Sequence, residues 1–129
     1  MLVPRVLELQ ERFGLTLENR RELVAEAHAA GVWVISGDDA GITQGKRHGI
    51  FAEAVLDLVT GGLSVVDALI SATSSAARAC GVGDRKGRLR AGFDADLLVV
   101  DGDVAADPTA LRSVVMVLVG GTPVVDHRT

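Results

Sequence analysis

Aromatic residues make up only 3% of this 129-residue chain; there is no Tyr and a single Trp, Trp33. A core must therefore be assembled mainly from Val, Leu and Ala. The aromatic platforms on which single-stranded nucleic acids stack are scarce. Lys and Arg do not cluster strongly and the formal net charge is -4, so the chain has no basic stripe for a nucleic-acid partner. The lone cysteine, Cys80, excludes an internal disulfide and fits a cytoplasmic protein. No apolar run approaches the ~20 residues of a membrane-spanning helix. The opening M-L-V-P-R-V-L-E lacks a signal-peptide layout.

Several catalytic signatures are missing as well. There is no G-x-G-x-x-G, and G-I-T-Q-G-K at 41–46 has three residues between its glycines, with Arg47 where a phosphate loop needs Ser or Thr. Ser36, Ser64 and Ser71 sit in no G-x-S-x-G elbow. His28, His48 and His127 form neither H-x-H nor H-x-x-x-H. A zinc site takes about three protein ligands, and the residues do not spell out such a set.

What is present is an ordinary globular composition, 48% hydrophobic and 23% charged, in a chain long enough for a real core. The most informative stretch is V-W-V-I-S-G-D-D-A-G at 32–41. Its four apolar residues, Val32 to Ile35, predict a strand buried on both faces. Asp38 and Asp39 follow at its C-terminal end, where parallel α/β enzymes place their chemistry. A carboxylate there could ligate a metal or transfer a proton; equally, Asp caps helices and stabilises solvated turns. His48, in the polar loop that follows, could reach the same space or simply begin the next helix. His28 reads as a surface or packing residue, His127 as solvated, and Cys80 as packing.

Around this stretch the spacing predicts helices. One covers Leu2 to Phe13, and a second starts near Asn19 with Asn19 and Glu22 as a capping box and ends at Gly31. A third runs from Ile50 to Thr60, and a fourth from a Ser64 cap to about Cys80 through the small-residue run S-A-T-S-S-A-A-R-A. From Gly81 the character changes. A turn-rich basic segment leads to valine-rich runs at Leu97–Val100, Val114–Val119 and Pro123–Val125, which predict strands. Gly120-Gly121 can form a two-residue hairpin, and Asp107-Pro108 starts a turn or a single helical turn. The order is helix–strand–helix–helix followed by a β tail. One buried strand supplies no neighbours for its own backbone groups, so the sequence reads as part of something larger.

The succession V-W-V-I-S-G-D-D-A-G, H-G, A-E-A-V-L-D-L-V-T-G-G-L-S-V-V-D-A-L-I-S-A-T-S-S-A-A-R-A-C-G-V, K-G-R-L-R-A-G-F-D-A-D-L-L-V-V-D-G-D and V-V-M-V-L-V-G-G-T-P-V-V resembles the C-terminal third of metal-dependent amidohydrolases, in particular the imidazolonepropionase and prolidase group. The resemblance covers roughly Asn19 to Val125. It implies an α/β fold: residues 1–81 are the C-terminal portion of a (β/α)8 (TIM) barrel, with Val32–Ile35 as the eighth strand. Residues 82–129 are C-terminal strands of a small composite β-sandwich. It implies that Asp39 binds the metal and acts as general base on the bound water, and that Asp38, where the family usually has Thr or Ser, adds a charge beside the site. Asp38 and His48 are then candidate substrate-binding residues.

The family's H-x-H pair, its Lys or Glu after the fourth strand and its later metal histidines have no counterpart here. The resemblance therefore implies a divalent metal, zinc first, in the intact enzyme and none held by this chain alone. A small-molecule amide, cyclic amide or dipeptide would be the substrate, cleaved at a C–N bond. The alternative is a non-catalytic interaction module, a homo-oligomer or one that pairs with a complementing chain. A third reading is an independent small domain that binds a ligand at Asp38, Asp39 and His48.

Overall fold

The computed structural model describes residues 12–14, 16–38, 40–41 and 47–128. The expected helix over Leu2 to Phe13 lies outside these residues except at its end. The chain forms two compact units, one up to Ser64 and one from Val65 onward.

In the first unit, helix α1 spans Leu17–Ala29. Its cap is Thr16, the residue immediately before Leu17. The backbone there is extended, and the Thr16 hydroxyl accepts the Asn19 N–H at 3.1 Å. This corrects the expected Asn19–Glu22 box. Asn19 lies inside the helix and turns its side-chain amide back to donate to the Gly14 carbonyl, so it cannot serve as the cap. The C-terminus is as expected: the Val32 N–H donates to Ala27 O and the Gly31 N–H to His28 O, both at 2.9 Å. Gly31 holds φ at 82°, the left-handed step a Schellman ending requires.

Val32 to Asp38 are neither helix nor strand. Val32, Trp33 and Ile35 are 55%, 48% and 46% exposed. The expectation of a strand buried on both faces is thus not met. A strand exists only as part of a ladder, and among the described residues no strand pairs with this run.

Helix α2, Phe51–Thr60, buries Val55. Arg21 of α1 pairs with Asp57 of α2. Gly61 fits tightly behind this pair, since a Cβ there would stand 3.1 Å from the Cβ of Arg21.

The second unit begins with helix α3, Val65–Ala72, and helix α4, Ser74–Ala79. One continuous helix was expected. It breaks at Thr73, whose φ and ψ are -123° and -91°. The Ser71 hydroxyl donates to Ala68 O at 2.7 Å and the Thr73 hydroxyl to Leu69 O at 2.6 Å. Hydroxyls that bond back to the preceding turn compete with the helical ladder, and this run concentrates them. The small residues do provide close packing: Ala68 is fully buried and Ser71 nearly so. The turn-rich segment after α4 runs against this helix pair at Gly87, where a Cβ would meet Thr73 O at 2.7 Å and the Cβ of Ala77 at 2.8 Å.

The three expected strands form. β1 is Leu97–Val100, β2 is Val114–Val119 and β3 is Thr122–Asp126, and they make an antiparallel sheet in the order β1-β2-β3. Val119 pairs with Thr122 across Gly120 and Gly121. Both glycines have positive φ, 56° and 81°, as a type I′ hairpin turn needs. Between β1 and β2, a 3-10 helix at Pro108–Arg112 is capped by Asp107 and buries Ala110 and Leu111. Met116 is the buried residue of β2.

Candidate functional site

Of the three residues singled out from the sequence, Asp38 and His48 are among those the structure describes. Asp38 is half-buried, and its Oδ1 accepts the Ala40 N–H at 3.0 Å. This is an Asx-turn, in which the carboxylate supplies the acceptor that closes the bend. Gly41 follows with φ at 82°. The His48 ring lies directly over it: a Cβ on Gly41 would be 2.7 Å from both Cε1 and Nε2 of His48. His48 thus lies against Gly41. Asp39 itself is outside the described residues.

The remaining histidines lie elsewhere in the sequence-local structure. His28 is in the last turn of α1. His127 follows β3, its backbone N–H donating to Val115 O at 2.8 Å. Cys80 is exposed at the C-cap of α4. Among the described residues, no three His, Cys, Asp or Glu side chains approach closely enough to hold a metal ion. The described residues therefore do not fit a bound metal by themselves.

A second polar cluster sits in the sheet unit, and sequence reasoning passed over it. Lys86 pairs with Asp94 at 2.9 Å and also with Asp96, while Arg85 pairs with Asp94. The other oxygen of Asp96 accepts the Gly120 N–H at 2.8 Å, and Ala95 O accepts the Gly121 N–H at 2.9 Å. The segment before β1 is thereby fastened to the hairpin turn between β2 and β3. Hydrogen bonds from Lys86 hold the Asp94 carboxyl below its ordinary range, and hold Asp96 below it too, with the Gly120 N–H adding to the second. The same bonds, from Asp96 first and then Asp94, raise Lys86. The signal was the opposed charge in D-R-K at 84–86 and D-A-D at 94–96. The pairing depends on how the intervening turns fold.

Comparison with known proteins decides the family. The model of the Amidohydrolase family matches residues 9–124. The chain belongs to the amidohydrolase family. Its solved structural neighbours agree. An Xaa-Pro dipeptidase with methionine bound in its active site is 27% identical, with a TM-score of 0.73 over 82% of this chain and 25% of its own. A candidate prolidase from Bifidobacterium longum is 32% identical, with a TM-score of 0.72 over 81% of this chain and 26% of its own. An amidohydrolase from Thermotoga maritima MSB8 is 25% identical, with a TM-score of 0.68 over 83% and 26%. No curated protein matches significantly. This amidohydrolase chain spans about a quarter of the length of the solved structures it matches. The family is generally metal-dependent, and its structural neighbours are TIM-barrel enzymes. No helix among the described residues of this member is long and apolar enough to cross a membrane.

Proposed function

We propose that this chain is the C-terminal segment of a metal-dependent amidohydrolase that hydrolyses a C–N bond in an amide, a cyclic amide or a dipeptide. The observation that carries the reading is the family match across residues 9–124, which contains the G-D-D-A-G tip. In this reading residues 1–81 belong to the end of a barrel and residues 82–129 to a composite β-sandwich. Asp39 is the reacting carboxylate and accepts a proton from the attacking water, with Asp38 and His48 as substrate-binding residues. Zinc is the metal of the intact enzyme, and the compartment is the cytoplasm. No donor set for the metal exists among the described residues, so the chemistry assigned to this chain ends at that carboxylate.

A second reading, an interaction module, is favoured by the exposure of Val32, Trp33 and Ile35. It would pair with itself or with a complementing chain. The deciding experiment recovers the reading frame upstream of Met1 and expresses the contiguous product. An upstream H-x-H after an apolar strand, chelator-sensitive hydrolysis of dipeptides or cyclic amides, and loss of that hydrolysis in Asp39→Asn are expected. A contiguous product without the histidine pair, or one whose hydrolysis survives Asp39→Asn, would overturn the assignment. Sizing of the present chain tests the second reading, which a stable monomer would count against.

A further inference from the structure

We propose that Asp101-Gly102 is a self-modification site: ring closure onto the Gly102 amide converts Asp101 to a β-linked aspartate, which loosens the sheet unit as the protein ages. This stands independently of the amidohydrolase reading. The pair is the only Asp-Gly in the sequence, and it lies exposed just past the end of β1. Among the aspartates from Asp94 to Asp126, Asp94, Asp96, Asp103, Asp107 and Asp126 each accept a hydrogen bond. Among the described residues no such bond engages the Asp101 side chain or the Gly102 N–H. The Asp101 N–H donates to Ser113 O at 2.8 Å, so the main chain is anchored at Asp101 and unbonded at Gly102. Gly102 holds φ at 119°, a conformation open to glycine, and it has no Cβ to shield its nitrogen. Electrophile and nucleophile are therefore adjacent and both disengaged. The Gly102 nitrogen forms a bond to Cγ of the protonated Asp101 carboxyl; the Cγ–OH bond breaks, and the hydroxyl leaves with the amide proton as water. Water then opens the cyclic imide. Attack at Cγ restores aspartate, and attack at the main-chain carbonyl gives the β-linked isomer, the nitrogen regaining its proton in either case. The isomer carries one extra carbon in its main chain. Gly102 has little room for it: a Cβ there would stand 3.0 Å from the Cβ of Ala110, which is buried.

The test has two arms. In the first, the folded full chain is aged at neutral pH in heavy-oxygen water, digested, and read by fragmentation mass spectrometry. The peptide containing Asp101 should gain one solvent oxygen, split into two chromatographic isomers, and pass through a species lighter by one water. The other aspartates must first break a hydrogen bond to a charged group, so each should carry at least about tenfold less label than Asp101. Asp101→Glu keeps the charge but would need a larger ring that closes far more slowly, and it should abolish the label. No label at Asp101, equal label at Asp94, Asp96, Asp103 or Asp107, label undiminished in Asp101→Glu, or label only after unfolding in urea would each overturn the site. In the second arm, the urea midpoint of the aged chain is compared with that of the fresh chain. It should fall as the isomer accumulates and stay constant in aged Asp101→Glu. An isomerised chain with an unchanged midpoint would overturn the loosening.

Discussion

The unit from Val65 onward and the unit up to Ser64 use their apolar residues differently. In the sheet unit the valine-rich runs pair with one another: β2 lies between β1 and β3, a two-glycine turn joins β2 to β3, and Asp96 fastens the preceding segment to that turn. In the other unit the run Val32–Ile35 is equally rich in strand-forming residues, yet it has no ladder among the described residues and leaves Val32, Trp33 and Ile35 about half exposed. Local composition is nearly the same in both. What differs is whether the partner strand lies within reach along the same sequence. β2 and β3 are separated by two residues, and β1 and β2 by the segment 101–113 that includes the 3-10 helix, so their closure costs little chain entropy. A parallel strand needs a neighbour brought in by a crossover.

The contrast is broken most directly by removing the packed side chain of the sheet. Met116→Ala should destabilise the sheet unit by about 2–3 kcal/mol through lost burial and a residual cavity, read as a lower urea midpoint for the β signal in circular dichroism. If that substitution proved neutral, the sheet would have no core of its own and the two units would not differ as described.

Acid provides a second, smaller perturbation of the same unit. Asp126 is held at about 2, by the Arg128 side chain first and then its backbone N–H, and Asp94 and Asp96 also lie below their ordinary 3.8. Folded values below unfolded ones mean that the stabilisation is complete above about pH 4. It is lost as the pH falls through the folded values toward 2. Lys86 behaves oppositely: raised above 10.5, it contributes below that pH and loses its contribution as the pH rises through the folded value. The urea midpoint should therefore decline from pH 4 to pH 2, with a shallower decline in Asp96→Asn and Asp126→Asn. An equal slope in both variants would mean that these carboxylates do not couple to folding.

The smallest effect is expected in the first unit. Trp33→Ser should change stability by no more than about 0.5 kcal/mol, because the indole is already 48% exposed. In the unsubstituted chain the same residue, the sole Trp, should be readily quenched by acrylamide. In a contiguous enzyme the neighbouring strands of the proposed barrel should shield it. A large loss of stability in Trp33→Ser would show that the run is packed after all, and the comparison would fail.

Much of the second unit was legible because its signals are local. The hairpin follows from Gly120-Gly121 between two valine runs, and the 3-10 turn from Asp107-Pro108. The end of α1 follows from Gly31. Two local expectations were displaced by competing local bonds. Thr16 took the cap that Asn19 and Glu22 were expected to form, because Asn19 bonds back to Gly14. The helix expected to reach Cys80 broke at Thr73, where hydroxyls bond to the preceding turn. At the candidate site, adjacency of Asp38 and Asp39 was plain in the sequence. The nearness of the His48 ring to Gly41 was not, since it is a contact made through space.

The sequence alone determined the family, through motifs spread over most of the chain, and the three antiparallel strands, whose partners lie close along it. It also put a carboxylate pair behind the apolar run at Val32–Ile35. Only the tertiary structure decided that this run is half exposed and has no ladder among the described residues, that Asp38 accepts the Ala40 N–H, and that Lys86 bridges Asp94 and Asp96. Each of those depends on groups brought together through space, and residue type fixes what a side chain can bond to without fixing what it will meet.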